Sequence, residues 1–243
     1  MGQDLTEKWA AFQLWENASH KGDINWDYLA DNYGAQTVSA TDCRSPPADP
    51  CAAETTLGEI IRGWLSAEAD ASKKDQPLLY VKDWHLPRWV FRNPAAQPFY
   101  TTPHLFADDW LNYHYCTFTD DDFRFVYLGI QGTSTPFHKD VYDSYSWSTN
   151  VVGRKLWTFW TPGDEARRQP GVALVQETGE TVFVYVIFLR LSPPANLTVR
   201  LVPEALAAGT TLLRTSPLAS RLITTGVTRS TYPRCTMRSA VGS

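Results

Sequence analysis

The sequence predicts an α+β protein, mainly β, with a helical N-terminal part followed by a β-sandwich or jelly roll. Two observations carry this. The strongest helix signal, starting at Thr56, precedes the strongest strand signals. From Leu78 onward, short apolar segments of strand length alternate with turns. Composition agrees with a buried core. The 243 residues are 43% hydrophobic and 20% charged, with 10 Trp, 11 Tyr and 11 Phe, which excludes a disordered chain. That length suits one large domain or two small ones.

Residues 4–38 scatter aromatics (Trp9, Phe12, Trp15, Trp26, Tyr28, Tyr33), and Asp27 to Ala30 predicts a short helix. Ser45 to Cys51 is a loop by composition. Thr56 and Glu59 form a capping-box pattern, and Leu57, Ile60, Ile61, Trp64 and Leu65 follow at helical spacing, so a helix is expected to run to about Ser72–Lys74. Leu78 to Val81 predicts a strand. Pro87, Pro94, Pro98 and Pro103 predict loops and turns, and Phe106 to Tyr115 a short helix. Asp120, Asp121 and Asp122 form an acidic turn without the spacing or glycine of a calcium loop. Arg124–Leu128, Phe137–Ser146, Asn150–Trp160 and Thr181–Val184 predict strands, with turns at Gly129–Thr135, Gly153 and Gly179.

Charge is unevenly distributed. The net charge is −4, but residues 185–243 carry seven Arg, one Glu, and no Asp, Lys, His or Trp. They hold +6, leaving −10 on residues 1–184. The expected organisation is a helical flanking part over 1–76, a β core over 77–184, and a compositionally foreign, poorly ordered tail over 185–243. The acidic body argues against a nucleic-acid binder. Met1 to Trp9 has no apolar leader segment, and no run of 18 apolar residues predicts a membrane span. Four irregularly spaced cysteines (Cys43, Cys51, Cys116, Cys235) predict reduced thiols and a cytoplasmic or nuclear setting.

Thr135-Pro-Phe-His138-Lys-Asp140 is the segment with chemistry. On a strand, positions i and i+2 share a face, so His138 and Asp140 project together. One imidazole and one carboxylate are two of the three ligands of a non-heme iron facial triad. Alone the pattern is weak, and a half-buried pair without metal is the competing reading. Thr135 and Lys155 strengthen it. A lysine turned into a barrel needs an anionic partner, because an unpaired buried ammonium is costly. A dicarboxylate such as 2-oxoglutarate would supply one. A solvated strand-edge lysine is the alternative for Lys155.

Several segments in order resemble the JmjC-domain 2-oxoglutarate oxygenases, chiefly their lysyl-hydroxylase branch. They are Leu79-Tyr-Val-Lys-Asp-Trp-His-Leu86, Asp108-Asp-Trp-Leu-Asn112, Phe125-Val-Tyr-Leu-Gly129, Thr135–Asp140, Ser144-Tyr-Ser-Trp-Ser148 and Val152-Gly-Arg-Lys-Leu-Trp157. The resemblance covers about residues 5–184. It implies a double-stranded β-helix, a cupin-like jelly-roll barrel flanked by helices. It implies Fe(II) held by His138 and Asp140, and 2-oxoglutarate held by Tyr80, Thr135 and Lys155, with Ser148 lining the pocket. The implied reaction couples oxidative decarboxylation of 2-oxoglutarate to hydroxylation of a protein lysine, in the nearest relatives a lysine of eukaryotic release factor 1. Histone demethylation is the alternative within the family.

The likeness stops inside a motif. Gln176 to Val184 matches the approach to the family's distal iron-binding histidine, but Tyr185-Val-Ile-Phe-Leu-Arg190 follows. Residues 139–243 contain no His, and His20, His85, His104 and His114 lie where the family places no ligand. The tail reads as a retained intron, a shifted frame or a misjoined exon, or else as a diverged C-terminus. Either way two recognised protein ligands remain and the last barrel strands are expected to be incomplete, so the function read is a JmjC protein hydroxylase, with a catalytically impaired truncated isoform or pseudoenzyme as the alternative.

Overall fold

A computed structural model describes residues 6, 8–46, 52–70, 76–136, 138, 140, 142, 144–160, 172–184, 198–200 and 222–229. Among these residues the main sheet has seven strands, in order β10 (Thr181–Val184), β7 (Tyr145–Val152), β12 (Leu222–Arg229), β6 (Arg124–Gly129), β5 (Leu79–Trp84), β3 (Thr37–Asp42) and β4 (Ala52–Thr56). A second sheet orders β11 (Thr198–Arg200), β8 (Lys155–Trp160) and β9 (Val172–Gln176), and a small ribbon pairs β1 (Glu16–Asn17) with β2 (His20–Ile24). Every strand pair among the described residues is antiparallel. The mainly β, α+β class predicted from sequence is the one observed.

Alternation along β6 explains how the main sheet divides its faces. Val126 and Leu128 are buried in the principal core with Val81, Val151, Val152, Leu57, Ile60, Ile61 and Trp64. That face is covered by the helices. Tyr127 points the other way, toward the site described below. Trp147 of β7 belongs to a second cluster with Trp9 and Phe106, its ring stacked 4.9 Å from Phe106.

The helices follow from local chemistry. α1 spans Ala10–Leu14, α2 Trp26–Tyr33, α3 Leu57–Ala69, α4 Leu86–Arg92 and α5 Trp110–Phe118. α3 starts with the capping box read from the sequence: Glu59 N–H donates to Thr56 Oγ1 at 3.3 Å, and Thr56 N–H donates to Glu59 Oε2 at 3.2 Å. Hydrogen bonds from Thr55 and Thr56 hold the Glu59 carboxyl below its ordinary range. Thr56→Ala is expected to lower stability by about 1 kcal/mol, the usual worth of an N-cap side chain. Urea unfolding of the variant checks it, and an unchanged midpoint would contradict it.

Several boundaries differ from the sequence reading, each for a physical reason. Pro87 does not break the chain. It sits in the first turn of α4, where its missing N–H is no loss. The predicted helix over 106–115 divides into a 3-10 turn at His104–Phe106 and α5, because the Asp109 carboxylate caps the second by accepting from Asn112 N–H at 3.1 Å. Strands β3 and β4 lie in the part read as helical and flanking, and they join the same sheet as β5 to β7. The predicted strand Phe137–Ser146 starts only at Tyr145, with an isolated bridge at His138. Phe137, Lys139, Val141 and Asp143 lie outside the described residues, as do Pro47 to Cys51 and Cys235.

The basic tail supplies two strands. β12 inserts between β6 and β7, with Thr224 opposite both Tyr127 and Asn150, and β11 pairs with β8. Residues 185–197, 201–221 and 230–243 lie outside the described residues.

Candidate cosubstrate and metal site

Four elements converge on one region beneath the main sheet. β5 and β6 pair with Tyr80 opposite Gly129. Tyr80 is fully buried, and its ring lies 6.2 Å from that of Tyr127. The β5–β6 register shifts between Val81 and Trp84, and Asp83 there adopts φ 52°. This irregularity turns the Asp83 carboxylate to accept from the Tyr127 hydroxyl at 2.8 Å. Burial first, then the Asp83 charge, keeps Tyr127 protonated well above its ordinary range.

β8 brings Lys155 into the same region. Its side chain is 5% exposed, and its ammonium lies 4.1 Å from the Trp157 ring centroid and 5.5 Å from that of Tyr127. Among the described residues no carboxylate lies within ion-pair distance of it. Burial brings its pKa down to about 7, against an opposing pull from Asp140. Lys155 is therefore an interior cation held by aromatic faces, in want of an anion.

The sign of the pH effect follows. Between about 7 and the ordinary 10.5, the unfolded chain carries a proton on Lys155 that the folded chain lacks. Stability of the ligand-free protein is thus expected to rise with pH across this window. Thermal unfolding followed against pH, beside Lys155→Met, checks this. A wild-type slope no steeper than the variant's would contradict it.

His138 and Asp140 are together, as the sequence predicted, with Nε2 and Oδ1 3.6 Å apart. The His138 Nδ1 lies 2.9 Å from the Pro136 carbonyl, which fixes Nδ1 as the donor and leaves Nε2 toward Asp140. Ser146 Oγ donates to Asp140 Oδ2 at 2.6 Å. The Asp140 carboxylate beside it raises the His138 pKa. Burial pushes Asp140 up, but the neighbouring His138, the Ser146 hydrogen bond and the Lys155 charge bring it below its ordinary value.

Three hydroxyls at the predicted cosubstrate positions are buried without a hydrogen-bond partner among the described residues: Tyr80 Oη, Thr135 Oγ1 and Ser148 Oγ. Buried polar groups are seldom left so, and each orphan needs an explanation. Three donors and an unpaired ammonium suit a carboxylate-bearing ligand, so the residues present fit 2-oxoglutarate. Iron is different. His138 and Asp140 fit two of its protein ligands, and among the described residues no third His, Cys, Asp or Glu joins them.

One cluster with metal-ligand chemistry does appear elsewhere: His85, Asp121 and Asp122. Its charges are already met. Arg88 pairs with Asp121 at 3.0 Å, Arg124 with Asp122 at 3.3 Å, and His85 Nδ1 lies 3.1 Å from Asp122. The acidic turn is thus tied down by arginines. Sequence reasoning missed Tyr127, Asp83 and Ser146 at the main site. For Tyr127, alternation on β6 was the available signal. Asp83 depends on a register shift that no sequence pattern announces.

No protein-family model matches the chain. Curated relatives do. The 2-oxoglutarate and iron-dependent oxygenase JMJD4 of Gallus gallus is 33% identical over 215 residues, 75% of this chain and 48% of that protein. Its Homo sapiens counterpart is 34% identical over 166 residues, 66% of this chain and 37% of that protein. Arginine-specific demethylase JMJ20 of Arabidopsis thaliana is 35% identical over 175 residues, 65% of this chain and 36% of that protein. The chain spans less than half the length of these relatives. The ordered JmjC motifs, the mainly β fold and these identities together show that the chain belongs to the JmjC-domain family of 2-oxoglutarate and iron-dependent oxygenases, and is similar to its JMJD4 members.

Proposed function

We propose that this chain is a 2-oxoglutarate-binding JmjC domain of protein-hydroxylase type whose iron site is incomplete, so that it holds the cosubstrate and turns over little. The observation that carries this is the buried, unpaired Lys155 ammonium together with the orphaned hydroxyls of Tyr80, Thr135 and Ser148. Lys155 would neutralise one carboxylate of 2-oxoglutarate, and the Thr135 and Tyr80 hydroxyls would donate to it. The aromatic faces of Trp157 and Tyr127 keep water from the ammonium and so strengthen its attraction for an anion. Asp83 fixes the direction of the Tyr127 hydroxyl.

His138 and Asp140 would hold Fe(II), with Ser146 orienting the carboxylate. In the family the metal couples oxidative decarboxylation of 2-oxoglutarate to hydroxylation of a substrate C–H bond. Two protein ligands instead of three leave this chain with weak metal retention. A substrate lysine on a translation termination factor, eukaryotic release factor 1, and a cytoplasmic or nuclear setting rest on the resemblance to the lysyl-hydroxylase branch. Calorimetric titration of the purified protein with 2-oxoglutarate tests the reading. Saturable binding supports it, and no detectable binding overturns it.

A further inference from the structure

Thr135 sits on an irregular loop, yet its hydroxyl must be held in place to serve the cosubstrate. Cys43 holds that loop. Its Sγ accepts from Ser134 N–H at 3.2 Å and lies 3.3 Å from the Ser134 carbonyl, to which its S–H donates. One thiol so satisfies both backbone groups of the residue next to Thr135, across 91 positions of chain.

The other side of Cys43 is anchored to the strand that carries Tyr80. Cys43 N–H donates to Leu78 O at 2.9 Å, and Asp42 Oδ1 accepts from Leu78 N–H at 2.9 Å. The approach is close: a Cβ on Gly129 would lie 2.3 Å from Thr133 Oγ1 and 2.6 Å from the Tyr80 ring. Only glycine at 129 lets both Thr133 and the Tyr80 ring approach that backbone so closely.

We propose that Cys43 is a positioning residue for cosubstrate binding: its thiol clamps Ser134 so that the Thr135 hydroxyl and the Tyr80 hydroxyl are presented together to the same 2-oxoglutarate carboxylate. This rests on the 2-oxoglutarate reading above. Burial pushes the Cys43 thiol up, so it remains an S–H able to donate. A thiolate could accept from Ser134 N–H but could not donate to its carbonyl.

The test compares Cys43→Val, which keeps the volume without the hydrogen bonds, with Cys43→Ser, which keeps a donor and an acceptor. Two readouts are used: 2-oxoglutarate affinity and hydrogen exchange at the Ser134 amide. Loss of a hydrogen bond worth about 1 kcal/mol corresponds to about fivefold in affinity. Cys43→Val is expected to weaken 2-oxoglutarate by about that factor or more, and to speed Ser134 exchange, with Cys43→Ser close to wild type in both. Unchanged affinity and exchange in Cys43→Val would overturn the proposal. Equal losses of affinity and melting temperature in both variants would also overturn it, since that marks a general packing role. If wild type itself binds no 2-oxoglutarate, the functional reading and the cosubstrate role fall together. Exchange at Ser134 still reports separately whether the clamp exists.

Discussion

Lys155→Met is expected to abolish 2-oxoglutarate binding while raising the melting temperature of the ligand-free protein. The two effects have one cause. Without ligand, Lys155 is 5% exposed and its ammonium faces rings and no carboxylate among the described residues, so folding is opposed by the loss of its hydration. Methionine fills much of that space without the charge. With ligand, the same ammonium is the counter-charge of a buried carboxylate. Removing one partner of such a pair costs about 3–5 kcal/mol, or at least about a hundredfold in affinity. Calorimetry and thermal unfolding on the same preparations check both signs. A variant that binds normally removes Lys155 from the site. A variant that loses binding and melts lower shows a collapsed fold instead.

The second large effect concerns the metal. Wild type is expected to retain less than one equivalent of Fe(II) through desalting, and His138→Ala to retain none. An outer-shell partner of a metal ligand is worth about 10- to 100-fold in metal affinity, and a ligand itself is worth more. Among the described residues no third His, Cys, Asp or Glu joins this pair, so losing His138 leaves Asp140 as its remaining member. Asp140 is already committed to Ser146 at 2.6 Å. Iron content by elemental analysis decides it. Equal iron in wild type and His138→Ala would remove His138 from the site.

Part of this site was legible as regular elements. The strands of Lys155 and Tyr80 could be read from turns and apolar runs, but their inward directions could not: Lys155 stayed open to a solvated strand-edge reading, and Tyr80 entered through the family resemblance. His138 and Asp140 do lie together, 3.6 Å apart, but not for the reason given by the strand pattern. The sequence argument placed them on one strand face, whereas in the structure the pair is held by hydrogen bonds to Pro136 and Ser146. Contacts between distant segments were not legible. Cys43 meets Ser134 across 91 residues, and Asp83 reaches Tyr127 through a register shift. The strands β3 and β4 were missed since Thr37–Asp42 and Ala52–Thr56 have little apolar weight. They are strands because the sheet edge beside β5 accepts them.

The tail gives the clearest separation between fold and chemistry. Its composition departs from the body at residue 185, and residues 139–243 contain no His. Even so, its backbone completes hydrogen bonding between β6 and β7 through β12. Backbone pairing tolerates almost any side chain, whereas an iron ligand does not. A strand can therefore be replaced where a histidine cannot.

The central claim is a cosubstrate cradle that works beside a metal site that does not. It is tested most directly by measuring 2-oxoglutarate binding and 2-oxoglutarate-dependent succinate formation on the same purified, iron-supplied protein. The account predicts saturable binding with succinate at the level of the His138→Ala control. Binding accompanied by sustained succinate formation that His138→Ala abolishes would contradict it, because the chain would then possess a working third position at the metal.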